Sequence, residues 1–436
     1  MNGPIDQSAL ESLLDSSRIG ILDGGLATYL EDGLNFDLSK GPLWSARLLD
    51  EKEDDVSGGK GQKGIFDAHL HYLQAGAGII GTATYQASLE SFARANYDQA
   101  SASHLMTKAV DLACEALHTY NNAAASSSSS RPTISLSLGP YGGMLSNGAE
   151  YTGDYRRTFL PESDPQREQQ PSLEEMAAFH QRRIEAFVAQ PSWKDVGLLA
   201  VETVPRADEA LAFRMALENV VKSHQQQGKP LERKPVYISM AFPDDKRLPW
   251  PPLKNSSADD EDMDMDEDDD EVDAADEEEA FQEEMNWLVQ IVTDTKVQGQ
   301  DSLWPVGGIG INCTKPYLLP KLVERMSTSL LTLNRPASEG GMDLARRRAE
   351  AGQQKPLLYL YPDGGLVYDP VKKIWLTPSN AGDLGGDNSA ASWASNLMKL
   401  AKSITAATDV WSGVFVGGCC KSGTDEIQAL CQCRSL

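Results

Sequence analysis

Eight short apolar runs, each closing on glycine or a polar group and each followed by a longer stretch, most of these with helical periodicity, constrain this chain of 436 residues more than any other feature. They fall at residues 19–22, 79–83, 133–143, 196–201, 236–242, 306–312, 356–365 and 414–420. Apolar runs of this length bounded by turn residues suit strands buried on both faces. Intervening segments such as 65–77, 88–119, 174–190, 280–295, 317–332 and 392–404 read as helices, with a further short helix at 7–17. Strands that alternate with helices form a parallel sheet, and eight of them make an α/β fold of the (β/α)8 barrel type. Such a barrel absorbs a long chain as one domain with insertions, so residues 1–436 are expected to form a single barrel.

In that fold the site is assembled where strands end at their C-termini. Asp23-Gly24-Gly25 follows the first run, Glu202 the fourth, Cys313 the sixth and Cys419-Cys420 the eighth. Adjacent cysteines rarely close a disulfide with each other, because the ring is strained and sulfur geometry is narrow. Two thiolates side by side suit a soft metal, and Cys313, in GGIGINCTKP, would add a third sulfur. Three sulfurs with one vacant position are the pattern of a catalytic zinc. A substrate thiol in that position would stay ionised near neutral pH, whereas a free thiol of pKa ~8.5 is mostly protonated there. Such a centre favours alkyl transfer to sulfur over hydrolysis.

Plainer readings stand beside these. Cys313 alone is a small buried residue, Asp23 a turn residue with an Asx hydrogen bond, and Glu202 a charge at a helix N-terminus. His69 and His71, two apart on a helix, point to different faces and suit packing or surface roles. Cys114 reads as core, and Cys431 and Cys433 sit in the last six residues, where fraying is expected.

The net charge of −25 is concentrated: residues 259–284 hold 18 Asp or Glu and no Lys or Arg, and setting those 18 aside leaves −7. Like-charge repulsion with almost no apolar content predicts a disordered insertion over about 244–276. Residues 51–64, 123–132 and 335–354 read as further exposed excursions. With no basic stripe, nucleic-acid binding is excluded. With no run of about 18 apolar residues, no signal-peptide pattern and only six cysteines, membrane insertion is not expected and a reducing cytoplasm is.

The pieces LDGGLATYLEDG, PLWSARLL, HLHYLQAGAGIIGTATYQAS, SLGPYGGMLSNGAEYTGDY, ETVPRADEA, GINCTKP, YPDGG with VYDP, and VGGCC run in order over residues 20–420. Together they resemble the homocysteine S-methyltransferases, in particular the fungal and plant type that uses S-methylmethionine or S-adenosylmethionine. The resemblance implies zinc held by Cys313, Cys419 and Cys420, with homocysteine sulfur as fourth ligand. It implies that Asp23 and Glu202 hold the amino group of homocysteine and that backbone amides around Gly24 and Gly25 meet its carboxylate. The methyl group would pass in line from a sulfonium donor to that sulfur, giving methionine, with no general base and no catalytic residue beyond the zinc site. The partners are then small molecules.

Three departures from the family pattern bear on donor choice and on the loop behind the thiolates. Tyr29 stands where Glu is common, Asp363 where Asn is usual, and KSGTDEI replaces an Arg-Thr-Thr-Pro-Asp-like segment. Two alternatives keep the barrel: a betaine-type donor, or another thiol or a selenol as acceptor. A third, of another class, is a non-catalytic protein whose acidic segment recruits basic proteins by charge, with strong salt dependence.

Overall fold

The computed structural model describes residues 7–38, 43–51, 60–123, 131–248, 274–297, 300, 303–365, 367–369, 374–376, 389–407 and 409–435. Its strands are β1 (Ile19–Ile21), β2 (Ile79–Gly81), β3 (Thr133–Leu138), β4 (Leu198–Val204), β5 (Val236–Met240), β6 (Gly308–Asn312), β7 (Leu357–Tyr361), β8 (Val367–Asp369), β9 (Ile374–Leu376) and β10 (Gly413–Val416). β8 and β9 form an antiparallel pair of their own. The other eight are parallel in the order β1-β10-β7-β6-β5-β4-β3-β2. A parallel bridge from Leu22 to Ile79 joins the two ends of that order. There the Asp23 N–H donates to Ile79 O at 3.0 Å and the Gly78 N–H to Ile21 O at 2.9 Å. The expected (β/α)8 barrel is therefore what the chain forms.

Large and absent side chains alternate inside the ring. Tyr237 stacks on Tyr359 at 3.9 Å between centroids, and Tyr359 on Phe415 at 5.2 Å. Gly20 and Gly308 make that layer fit, because a Cβ at either would enter the ring of Phe415 or Tyr359; a strand glycine marks such close approach. The helix Ser8–Glu11 and the turn after it bring Leu10 and Leu13 into the same interior cluster. Leu13 lies near Gly78 and Leu14 near Gly413, at the N-terminal ends of β2 and β10. The chain's start thus plugs one end of the barrel and leaves the other for the site.

Outside the ring, helices cover the strands with apolar faces. The helix Leu173–Val188 opens on a capping box, Ser172 with Glu175, which satisfies two otherwise unpaired backbone donors. From its buried face Arg183 donates to the carbonyls of Thr84, Tyr85, Ala87 and Gly139 at 2.6–2.7 Å. The loops leaving β2 and β3 are held by that single guanidinium.

Several boundaries differ from the sequence reading. The first helix covers Ser8–Glu11 instead of 7–17. β4 runs through Glu202 to Val204, with a register shift between Val201 and Val204, so Glu202 lies within an irregular strand and not after it. Within 335–354, expected to be exposed, the helix Leu344–Glu350 buries Leu344 and Arg348, and Arg348 donates to the carbonyls of Thr293, Val306 and Gln354. Of the stretch 244–276, residues 244–248 are placed and Ala274 already begins the helix Ala274–Thr293; residues 249–273 lie outside the described residues, as do 52–59 and 124–130. Glu278, near the start of that helix, pairs with Lys321 at 3.3 Å and with Arg325, so the acidic run ends in ion pairs. The expected fraying at Cys431 and Cys433 is replaced by the helix Thr424–Ser435, whose Ile427 and Leu430 are buried.

Candidate active site and thiol cluster

Loops leaving the C-terminal ends of the strands enclose a cleft. Asp23, Gly24, Gly25, Glu202, Cys313, Cys419 and Cys420 all line it. Every residue singled out for a site in the sequence is thus brought to one cleft.

The three sulfurs lie within 4.8 Å of one another. Three cysteine sulfurs with one position left open are the donors a catalytic tetrahedral zinc takes, so the chemistry of the donor set fits such an ion. Cys313 and Cys419 are joined as a disulfide, and Cys420 is a free thiol. Reduction of that bond is what makes three thiolates available. Burial first, and then the charge of Asp363, push the Cys420 thiol up to about 12, with the Tyr151 hydroxyl pulling the other way. A bound cation overrides such a shift, because a coordinating thiol is deprotonated outright.

The backbone beneath the sulfurs is unusual. Cys313 and Thr203 both hold φ in the left-handed region, at 49° and 58°, which non-glycine residues seldom occupy. Asn312 ties them together. Its Oδ1 accepts from the Thr203 N–H at 2.9 Å and the Ser239 hydroxyl at 2.7 Å, and its Nδ2 donates to Thr203 Oγ1 at 2.7 Å. Thr203 Oγ1 in turn faces Cys313 Sγ at 3.8 Å. Neither Asn312 nor Thr203 was picked out in the sequence; the available signal was that Asn312 immediately precedes Cys313 at the end of an apolar run. Asn312→Ala should cost about 1–3 kcal/mol, since it strands the buried Thr203 N–H. Urea denaturation of the reduced protein measures this, and a loss below about 0.5 kcal/mol would show that the network does not hold the strand ends.

The thiol pair is fastened from three sides. The Cys419 N–H donates to Pro362 O at 2.8 Å, Gly364 N–H to Cys420 O at 2.8 Å, and Lys421 N–H to Thr28 Oγ1 at 2.9 Å. Lys421 Nζ also pairs with Asp32 at 2.6 Å, so part of the altered segment after the cysteines anchors the loop to the helix Leu26–Asp32. Asp363 pairs with Lys315 at 2.7 Å and accepts the Gly365 N–H at 2.9 Å. Tyr29 is not among the residues lining the cleft; its hydroxyl shares a hydrogen bond with His71 Nδ1 at 2.9 Å. His69 is fully buried in the helix Gly61–Ala75 and its ring is pushed down to about 4 by desolvation, which keeps it neutral.

Two carboxyls line the same cleft. Burial pushes Asp23 up to about 7, although its Oδ2 accepts the Gly81 N–H at 2.7 Å. Burial, and then the charge of Asp23, push Glu202 up to about 8. The Gly25 N–H is engaged with Ser422 O at 2.9 Å, so in this conformation that amide does not face the cleft's ligand space. A Cβ on Gly24 would strike Ser422 O and one on Gly25 would strike Cys419 O. What the glycines provide here is close packing of the loop after β1 against the loop after β10.

A (β/α)8 barrel with three cysteine sulfurs and two buried carboxyls at its strand ends defines an enzyme that handles a small ligand at a sulfur-rich centre. A family model described as homocysteine S-methyltransferase matches residues 20–434. The chain belongs to that family and is a methyltransferase. Selenocysteine Se-methyltransferase of Brassica oleracea var. italica is 26% identical over 433 residues, 97% of this chain and 91% of that protein. Homocysteine S-methyltransferase 2 of Arabidopsis thaliana is 26% identical over 439 residues, 99% of this chain and 97% of that protein. Among solved structures, the oxidized form of the homocysteine methyltransferase MmuM from Escherichia coli superposes with a TM-score of 0.59 at 23% identity, covering 97% of this chain and 99% of that one. Its metallated form gives 0.54 at 24% identity, covering 97% and 98%. At such identity the likeness speaks for the fold. No described helix is long and apolar enough to cross a membrane.

Proposed function

We propose that this protein moves a methyl group from a sulfonium donor, S-methylmethionine or S-adenosylmethionine, to the sulfur of L-homocysteine, giving methionine, with zinc held by Cys313, Cys419 and Cys420. The observation that carries this reading is the meeting of three sulfurs within 4.8 Å, in the same cleft as Asp23 and Glu202. Zinc bound there would keep the acceptor thiol ionised near neutral pH.

The remaining work falls to the chain's own residues. Asp23 and Glu202, which line one cleft, offer charge-assisted hydrogen bonds to an ammonium group. An amino acid anchored by its ammonium group has its thiol end free to reach the cysteines. The rings of Trp44, Tyr85 and Tyr151 line the cleft, Trp44 meeting Tyr85 edge-on at 6.5 Å; aromatic faces attract an onium cation. On transfer a carbon–sulfur bond forms on the acceptor as another breaks on the donor, which leaves as a neutral thioether. No proton moves in that step, so no general base is required. A selenol acceptor is the second reading, supported by the relative named as a selenocysteine Se-methyltransferase. A reducing compartment such as the cytoplasm suits either reading, because the Cys313–Cys419 bond must open.

The test is metal analysis of the reduced, purified protein together with methyl transfer to homocysteine and to selenocysteine from each sulfonium donor. About one zinc per chain and methionine as product are expected. A reduced protein that holds no zinc, or that transfers methyl from neither donor, would overturn the reading.

A further inference from the structure

We propose that Gly81 is a specificity-determining residue whose bare Cα floors the seat of the acceptor's ammonium group, so that the cleft selects thiols that carry an α-amino group; this rests on the methyl-transfer reading above. Four of the described residues lining the cleft are glycines: Gly24, Gly25, Gly81 and Gly418. Packing demands three of them. A Cβ on Gly24 would strike Ser422 O, one on Gly25 would strike Cys419 O, and one on Gly418 would strike the Ser422 side chain. Gly81 is the exception. A Cβ there would stand 3.7 Å from Ser135 Oγ, 3.8 Å from Asp23 Oδ2 and 4.0 Å from Ser137 Cβ, ordinary contact distances that displace nothing. Its φ is not in the left-handed region either, so the backbone conformation does not call for glycine.

Glycine inside a strand weakens it, and its presence there marks the close approach of another backbone or of a ligand. The atoms nearest to a Cβ at Gly81 all belong to side chains, which leaves the ligand. What surrounds the gap fits an ammonium group. Register pairs Gly81 of β2 with Ser135 of β3, and both line the cleft together with Asp23, Ser137 and Glu202. The Gly81 N–H donates to Asp23 Oδ2 at 2.7 Å and fixes that carboxylate at the edge of the gap. Ser135 Oγ donates to Ile80 O at 3.3 Å, so its oxygen keeps lone pairs for an incoming donor. An ammonium group has three N–H donors and nothing to accept with. A gap walled by a carboxylate and a hydroxyl takes such a group, and a methyl at Gly81 would occupy the same space.

The chemistry sets the kinetic signature. The acceptor's ammonium group is remote from the reacting sulfur and is the same before and after transfer, so its seat binds ground state and transition state alike. Filling that seat should therefore raise the acceptor's KM and leave kcat in place.

The experiment uses the full-length reduced protein and Gly81→Ala, which keeps the N–H that Asp23 accepts and adds one methyl group. Binding of L-homocysteine and of 4-mercaptobutyrate, the same thiol acid without its amino group, is titrated by calorimetry, and steady-state rates are measured with S-methylmethionine as donor. Homocysteine should bind about tenfold to a hundredfold more weakly to the variant, and 4-mercaptobutyrate within about twofold of wild type. The homocysteine KM should rise by a factor similar to the loss of affinity, with the donor KM within about twofold. Equal homocysteine affinity in the two proteins, or an equal loss for both thiols, overturns the assignment. If the wild type makes methionine while the homocysteine titrations coincide, the Gly81 assignment alone falls. If the wild type binds homocysteine but uses no sulfonium donor, the methyl-transfer reading falls, and the two titrations still decide whether Gly81 floors an ammonium seat. Should the Ala variant fail to fold, wild-type crystals soaked in homocysteine decide: an acceptor nitrogen within about 4.5 Å of the Gly81 Cα supports the assignment, and one bound only elsewhere overturns it.

Discussion

Cys420→Ser should empty the site of metal and lower methyl transfer by about a thousandfold or more. Cys420 is the free thiol of the three, its Sγ held within 4.8 Å of the bonded pair Cys313–Cys419. Serine keeps the volume and the hydrogen bond from Gly364 N–H to the residue 420 carbonyl, so the loop is expected to stay in place. What changes is the donor: a hydroxyl does not deprotonate for a soft ion as a thiol does, and two thiolates hold zinc far less tightly than three. Elemental analysis of the reduced variant and a homocysteine methylation assay read the outcome. Full zinc with full activity in Cys420→Ser would end the three-sulfur assignment.

The second large effect is expected at Asp23. Asp23→Asn should weaken homocysteine binding about tenfold to a hundredfold, the size of a lost charge-assisted hydrogen bond, while zinc content stays unchanged. Because burial pushes Asp23 up to about 7 and Glu202 up to about 8, homocysteine affinity in the wild type should fall as the solution is acidified below pH 8. Stability runs the other way. A carboxyl whose folded pKa is raised favours the folded state fully below its ordinary value, and that contribution is lost as pH rises through the folded pKa. The ligand-free protein should therefore lose stability between about pH 4 and pH 8. Asp23→Asn removes part of that loss and should be more stable than wild type at pH 9 by on the order of 2 kcal/mol. A denaturation series across pH without and with homocysteine separates the two effects; unchanged homocysteine affinity in the variant would remove Asp23 from the site.

Much of this was readable in the amino acids because period and punctuation agree. The runs IGI, LLYLY and GVFV are apolar throughout, as strands covered on both faces must be, and each stops at glycine or a polar residue. Cys313 and the Cys419–Cys420 pair announced themselves by position, since sulfur at a strand tip has few structural uses. Asn312 and Arg183 did not, because their importance lies in which carbonyls, amides and hydroxyls come within reach after folding. Glu202 was picked out, but its irregular strand was not: the register shift at β4 spans Thr203, where Asn312 bonds the backbone, and no local pattern encodes that meeting. The same holds for the Gly25 amide, whose engagement with Ser422 depends on a loop nearly 400 residues away in sequence.

The placement of β10 between β1 and β7 bears on how the protein is made. A ribosome releases Asp23 long before Cys419-Cys420, and the bonds Gly418 N–H to Asp23 O and Gly25 N–H to Ser422 O join those two segments. Until the final strand slots in, a nascent chain carries Cys313 without its two companions and a ring with a gap beside its first strand. The three sulfurs therefore meet only once the strand carrying Cys419 and Cys420 is in place, and a polypeptide stalled short of residue 419 lacks that cluster.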